Sequence, residues 1–198
     1  MEKKFHEKCL VLVVPSKDFE WVEYDVVRNI LEDAGCEIFI ASDNPIEAVA
    51  NNSQSIAVDG GLPEIDVSKY DGIFFIGGPG TISCLDTPHA YRLVKEAKSM
   101  DIAYGAIDLA VRVLAHANGL VGKAATGLNT DGQLEAILTT HGARYRKAAT
   151  KKKPDIIVDK GVITAEDSRD AQAFAQGILK LLEEKEKGIV QHPLPKRW

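Results

Sequence analysis

The sequence predicts an α/β fold: a mostly parallel sheet in one layer, with helices on both of its faces. Three observations predict it. Cys9-Leu10-Val11-Leu12-Val13-Val14 is an unbroken aliphatic run ended by Pro15, as expected of a central strand buried on both faces. Strand-like runs of this kind alternate with segments whose apolar residues recur at helical spacing. Finally, Ile102-Ala103-Tyr104-Gly105-Ala106-Ile107 reaches Asp108 and passes into a helix-compatible run with no Gly or Pro spacer.

In order, the first strand is followed by Val22, Val26, Val27, Ile30, Leu31 and Ala34 at helical spacing, with Gly35 as the stop. Glu37-Ile38-Phe39-Ile40-Ala41-Ser42 is the second strand and completes a βαβ unit. Residues 43–69 are polar and mixed, and a small hairpin or edge elaboration is expected around Ile56-Ala57-Val58. Gly72-Ile73-Phe74-Phe75-Ile76 is another buried strand and leads into Gly77-Gly78-Pro79-Gly80. Glycines there permit positive φ and close approach of backbone to a ligand, although a tight turn without a ligand reads the same way. Helices are expected over 88–99, from the Asp108 corner to about Asn118-Gly119, and over 131–141 before Gly142. Ile156 to Ala165 reads as a hairpin turning at Lys160-Gly161, and a last helix runs from Ser168 to about Glu186.

The 198 residues suit a single domain spanning 1–198, with a core of about 8–184 and a tail over 187–198. A net charge of −5 argues against nucleic acid or an anionic membrane as main partner. The basic run Arg144, Arg146, Lys147, Lys151, Lys152 and Lys153 has only Tyr145 to offer stacking, so it reads as a solvated loop. No apolar stretch approaches the roughly 20 residues of a membrane helix. The charged N-terminus has no signal-peptide pattern, and Cys9, Cys36 and Cys84 have no framework spacing. The expectation is a cytoplasmic protein with reduced thiols. His6, His89, His116, His141 and His192 show no ligand spacing, and no metal or cofactor is expected. Glu20, Asp108, Glu166 and Asp167 would form a hard-cation site only if the last two turned inward.

At the corner itself two readings compete. A strand-to-helix elbow commonly presents a reacting side chain beside backbone N–H donors, whereas an aspartate there can simply cap the helix.

The ordered motifs carry a resemblance. They are the Val-Pro loop leading to Phe19-Glu20-Trp21-Val22-Glu23, the Ala34-Gly35 helix end, Ile40-Ala41-Ser42 and Tyr70-Asp71-Gly72 with Ile76-Gly77-Gly78. The elbow at Ala106-Ile107, Gly119-Leu120-Val121-Gly122-Lys123 and Gly161-Val162-Ile163-Thr164 complete the set. Together, over roughly residues 8–184, they resemble the ThiJ/PfpI family of flavodoxin-like three-layer sandwiches in the class I glutamine amidotransferase-like superfamily. The resemblance implies a nucleophilic cysteine at the elbow, where this chain has Asp108. It implies Glu20 as the supporting acid and Gly77, Gly78 and the Leu109 amide as oxyanion or ligand-binding donors. The family's further site position falls near Gly127, and Thr164-Ala165-Glu166-Asp167 stands where Thr-Ser-Arg-Gly is common.

With no thiol at the elbow, the resemblance implies a divergent or inactive member that binds a small molecule in the elbow cleft, as a stress-linked or regulatory module. The alternative is an active peptidase, amidase or glyoxalase-like hydrolase or lyase using an Asp108/Glu20 carboxylate pair. Two such carboxylates meeting in a cleft would share a proton. A homodimer is also implied, with Phe19 and Trp21 as apolar surface and the tail ending in Trp198 frayed or docked.

Overall fold

A computed structural model describes residues 5–147 and 155–188. Lys151, Lys152 and Lys153 of the basic run, and the tail from Ile189 to Trp198, lie outside the described residues.

The elements in order are β1 (Cys9–Val14), β2 (Lys17–Phe19), α1 (Trp21–Ala34), β3 (Glu37–Ser42), β4 (Glu47–Ala50), β5 (Ser55–Ala57) and β6 (Gly60–Gly61). After them come β7 (Gly72–Phe75), α2 (Thr81–Leu85), α3 (Pro88–Ser99), β8 (Ala103–Ile107), α4 (Ala110–His116) and β9 (Ala124–Ala125). The chain continues with α5 (Leu134–Thr140), β10 (Arg144–Tyr145), β11 (Ile156–Asp159), β12 (Val162–Ala165) and α6 (Ala171–Glu186).

Seven strands form the main sheet in the order β11-β12-β8-β7-β1-β3-β6. All of its pairings are parallel except β11 with β12. That exception follows from the hairpin, whose turn residues Lys160 (φ 51°) and Gly161 (φ 79°) both take positive φ, as a two-residue turn between right-twisted strands requires.

Because side chains alternate along a strand, β1 feeds two cores at once. Leu10, Leu12 and Val14 join Phe74, Ile76 and Ile163 beneath Val27 and Leu31 of α1 and Phe174, Ile178 and Leu182 of α6. Val11 and Val13 join Ile73, Phe75 and Ala106 against Leu93 and Val94 of α3, Val113 and Leu114 of α4 and Leu138 of α5. This is the three-layer sandwich expected from the sequence. A truncation such as Phe174→Ala, at a fully buried ring, would cost ~3–5 kcal/mol.

The elaboration expected around Ile56 is the antiparallel pair β4–β5, extended to three strands by β2. Phe19 is corrected as a surface candidate. It is fully buried and sits with Trp21 and Tyr24 in an aromatic cluster, its ring centroid 5.4 Å from that of Tyr24. The helix expected over 131–141 starts only at Leu134, because the Asp131 carboxylate instead accepts from the Gln133 N–H and both ends of the Arg112 guanidinium.

Candidate functional site

Strands of a parallel sheet bring their C-terminal ends to one edge, and three of those ends meet here. β8 ends at Ile107, and Asp108 follows with φ 62°, a left-handed conformation that costs a non-glycine residue about 1–3 kcal/mol. Leu109 (φ −65°) then opens α4. Asp108 is 5% exposed, and its Oδ2 accepts the Gly78 N–H at 2.7 Å. Its carboxylate does not cap α4: the Val111 N–H bonds the backbone carbonyl of Asp108 instead, at 3.4 Å. The elbow reading of this corner therefore holds over the helix-cap one.

The Gly-Gly turn after β7 is shaped by what lies against it. A Cβ on Gly77 would stand 2.5 Å from Asp108 Cβ and 2.8 Å from the Ile107 carbonyl oxygen. Gly78 has φ 124°, and a Cβ there would stand 2.5 Å from the Asp18 carbonyl oxygen and the Glu20 nitrogen. The β2–α1 connection thus lies directly on this turn, tied by Glu20 N–H to the Gly77 carbonyl at 2.9 Å.

Glu20 and Glu23 take different places as a result. Glu20 is the N-cap of α1: Oε1 accepts from the Val22 N–H at 3.4 Å, and Oε2 accepts from Asn51 Nδ2 at 2.6 Å. Both oxygens are engaged at the rim, and neither is hydrogen-bonded to Asp108. Glu23, one turn further on, is 1% exposed and accepts the Gly77 N–H at 3.1 Å. The buried acid beside the elbow is therefore Glu23, while Glu20 lines the same cleft from its rim. With Glu20 as N-cap, Glu23 stands three residues on, where a side chain points back over the first turn.

Burial, and next the negative charge of Asp108, hold the Glu23 carboxyl well above its ordinary range. Burial likewise raises Asp108, to about 6, against the pull of the Leu109 and Gly78 amides towards the anion. Glu23, the more deeply buried of the two, is the member that holds a proton more firmly. Asp108 Oδ1 has no hydrogen-bond partner.

These groups line a cleft of about 460 Å³, with Pro79, Leu109 and Leu128 as apolar wall and Glu20, Asp167 and Arg169 at its mouth. Arg169 is bound to Asp167 and lies 3.7 Å from Glu166. Gly127, at the family's further site position, offers no side chain. A Cβ there would meet Val111 at 2.9 Å and the Asp108 carbonyl oxygen at 3.2 Å.

Among the described residues, no group of three or more His, Cys, Asp or Glu has the geometry to hold a metal ion. His116 lies at the end of α4, its Nδ1 2.7 Å from Asp86. None of the three thiols lines this cleft. Burial pushes Cys36 up to about 11 and raises Cys9, while Cys84 is buried with its Sγ 3.6 Å from Ser16 Oγ.

The DJ-1/PfpI family model matches residues 7–181. The chain belongs to that family. A ThiJ/PfpI domain protein from Brachyspira murdochii superposes with a TM-score of 0.81 at 22% identity, covering 89% of this chain and 96% of that one. Drosophila melanogaster DJ-1beta gives 0.75 at 21% identity, covering 93% and 98%. An uncharacterised protein of Methanocaldococcus jannaschii is 29% identical over 183 residues, 92% of this chain and 85% of its own length. Among the described residues no helix is long and apolar enough to cross a membrane.

Proposed function

We propose that this chain is a DJ-1/PfpI member in which Asp108 occupies the nucleophile position and the elbow cleft binds a small molecule without thiol chemistry. The observation that carries this reading is the 2.7 Å hydrogen bond from the Gly78 N–H to Asp108 Oδ2. Gly78 is the donor that the family resemblance assigns to a developing oxyanion, and here the elbow side chain itself takes it. An acyl-transfer transition state would have to displace that carboxylate before it could be stabilised. A carboxylate is also a weaker nucleophile than a thiolate, more so when an amide hydrogen bond holds its charge. In this reading Asp108, Glu23, Gly77, Gly78 and Leu109 form the binding floor, with Glu20 at its rim. The protein is cytoplasmic and homodimeric.

The second reading, a hydrolase or lyase, draws on the carboxyl pair. Environments that push two acids apart provide a proton donor beside a base, and Glu23 with Asp108 replaces the Asp108/Glu20 pair in that role. A turnover panel of methylglyoxal, small amides and peptides separates the two readings. The binding reading predicts no turnover above the Asp108→Ala, Glu23→Gln double variant. Turnover that this double variant abolishes would establish the enzyme instead.

A further inference from the structure

We propose that the cleft's ligand is a small alkylammonium ion, its cationic head over the Asp108 carboxylate between Glu20 and Asp167 and its hydrocarbon stem along Pro79, Leu109 and Leu128. The inference rests on the binding reading above and names the ligand class.

Three features support it. The first is charge. Besides the buried Glu23 carboxyl, the lining holds the acidic side chains of Asp108, Glu20 and Asp167. The one cation among its described residues, Arg169, is turned onto Asp167 and Glu166 rather than left free for an anionic ligand. The second is the floor. Asp108 is nine-tenths or more buried, and its Oδ1 has no hydrogen-bond partner. An unmet buried acceptor is costly, and an N–H donor supplies what it lacks. The Gly78 amide is already engaged by Oδ2 of that carboxylate, so an anion would meet a filled donor and like charge. The third is shape. A volume of about 460 Å³ with an apolar wall and an acidic floor fits a short chain bearing one charged end.

The association also has a pH dependence. Asp108 faces Glu23 and Glu20 of the α1 end, and Asp167 and Arg169 beyond β12. As pH falls through about 6 it takes a proton, and its hold on a cation weakens. By reciprocity, the bound cation lowers the midpoint at which Asp108 titrates.

The test uses three probes of one chain length, n-butylammonium, n-butanol and butyrate, titrated into the full chain at pH 7.5. Amide shifts of Gly78 and Leu109 report binding. Butylammonium is expected to saturate both amides, with butanol and butyrate at least tenfold weaker. Asp108→Asn is expected to weaken butylammonium tenfold or more. Glu20→Gln, which leaves the elbow untouched, is expected to weaken it threefold or more. Butanol or butyrate binding as tightly at the same amides would overturn the amine and leave a ligand-binding cleft standing. Butylammonium binding unchanged in both variants would overturn the site. Silence from all three probes would overturn the amine and count against the binding reading as well.

Discussion

Replacing Asp108 with Asn should make the protein more stable at neutral pH and leave it nearly unchanged in acid. Burial first, and then the surrounding carboxylates, move Asp108 from 3.8 to about 6. Its folded-state value lies above the unfolded one. The stability it contributes is therefore fully present below about pH 4 and is lost as pH rises through about 6. A shift of about two units corresponds to ~3 kcal/mol at 1.36 kcal/mol per unit. Asparagine keeps an oxygen for the Gly78 N–H and never ionises, so the variant escapes that loss. Glu23, which ionises more readily once the neighbouring charge is gone, loses less stability of its own, so ~3 kcal/mol is the share of the gain that comes from Asp108 alone. Urea unfolding of both proteins from pH 4 to 7.5 measures it. The stability difference should grow in favour of Asp108→Asn between pH 4 and 6.5 and then level off. A difference that is flat across this range would refute the argument, because it would mean that the elbow carboxyl titrates alike folded and unfolded.

Three further outcomes are expected. Gly80→Ala would place a Cβ 1.7 Å from the Lys17 carbonyl oxygen, so it should destabilise by at least about 1–3 kcal/mol, read as a lower urea midpoint. Iodoacetamide at pH 7.5 should leave ligand binding unchanged and label the native protein slowly, since Cys36 is pushed up to about 11 and Cys84 is buried; peptide mass spectrometry follows both. Light scattering at micromolar concentration should report a dimer, and a charge at exposed Val22 or Ile46 tests whether the face around α1 and β4 contributes.

Much of the sheet was legible because its strands are apolar on both faces. Leu10 to Val14 and Ile73 to Ile76 have no solvent side, so the period-free run itself identifies a central parallel strand. The Asp108 corner was legible because strand and helix patterns abut there without a spacer. The small elements were not. β2 (Lys17–Phe19) and β9 (Ala124–Ala125) are held by backbone pairing to distant β4 and β10, and nothing in so few residues encodes a partner. Which of Glu20 and Glu23 is the buried acid was hidden for a related reason. Glu20 and Glu23 are alike as residue types, and only the start of α1 at Trp21 makes one a solvated cap and turns the other under the glycine turn. The Asp131 turn was hidden too, because its anchor is Arg112, a residue of α4 that is 7% exposed.

The most direct measurement of the central claim is a carboxyl-carbon NMR titration of the elbow pair, assigned with Asp108→Asn and Glu23→Gln. Two coupled transitions are expected, one followed by Asp108 near 6 and one followed by Glu23 well above the ordinary carboxylate range, with Glu23 falling back part of the way in Asp108→Asn. Two independent transitions near 4 would contradict it, since two acids that neither lose water nor meet each other cannot form the floor described here.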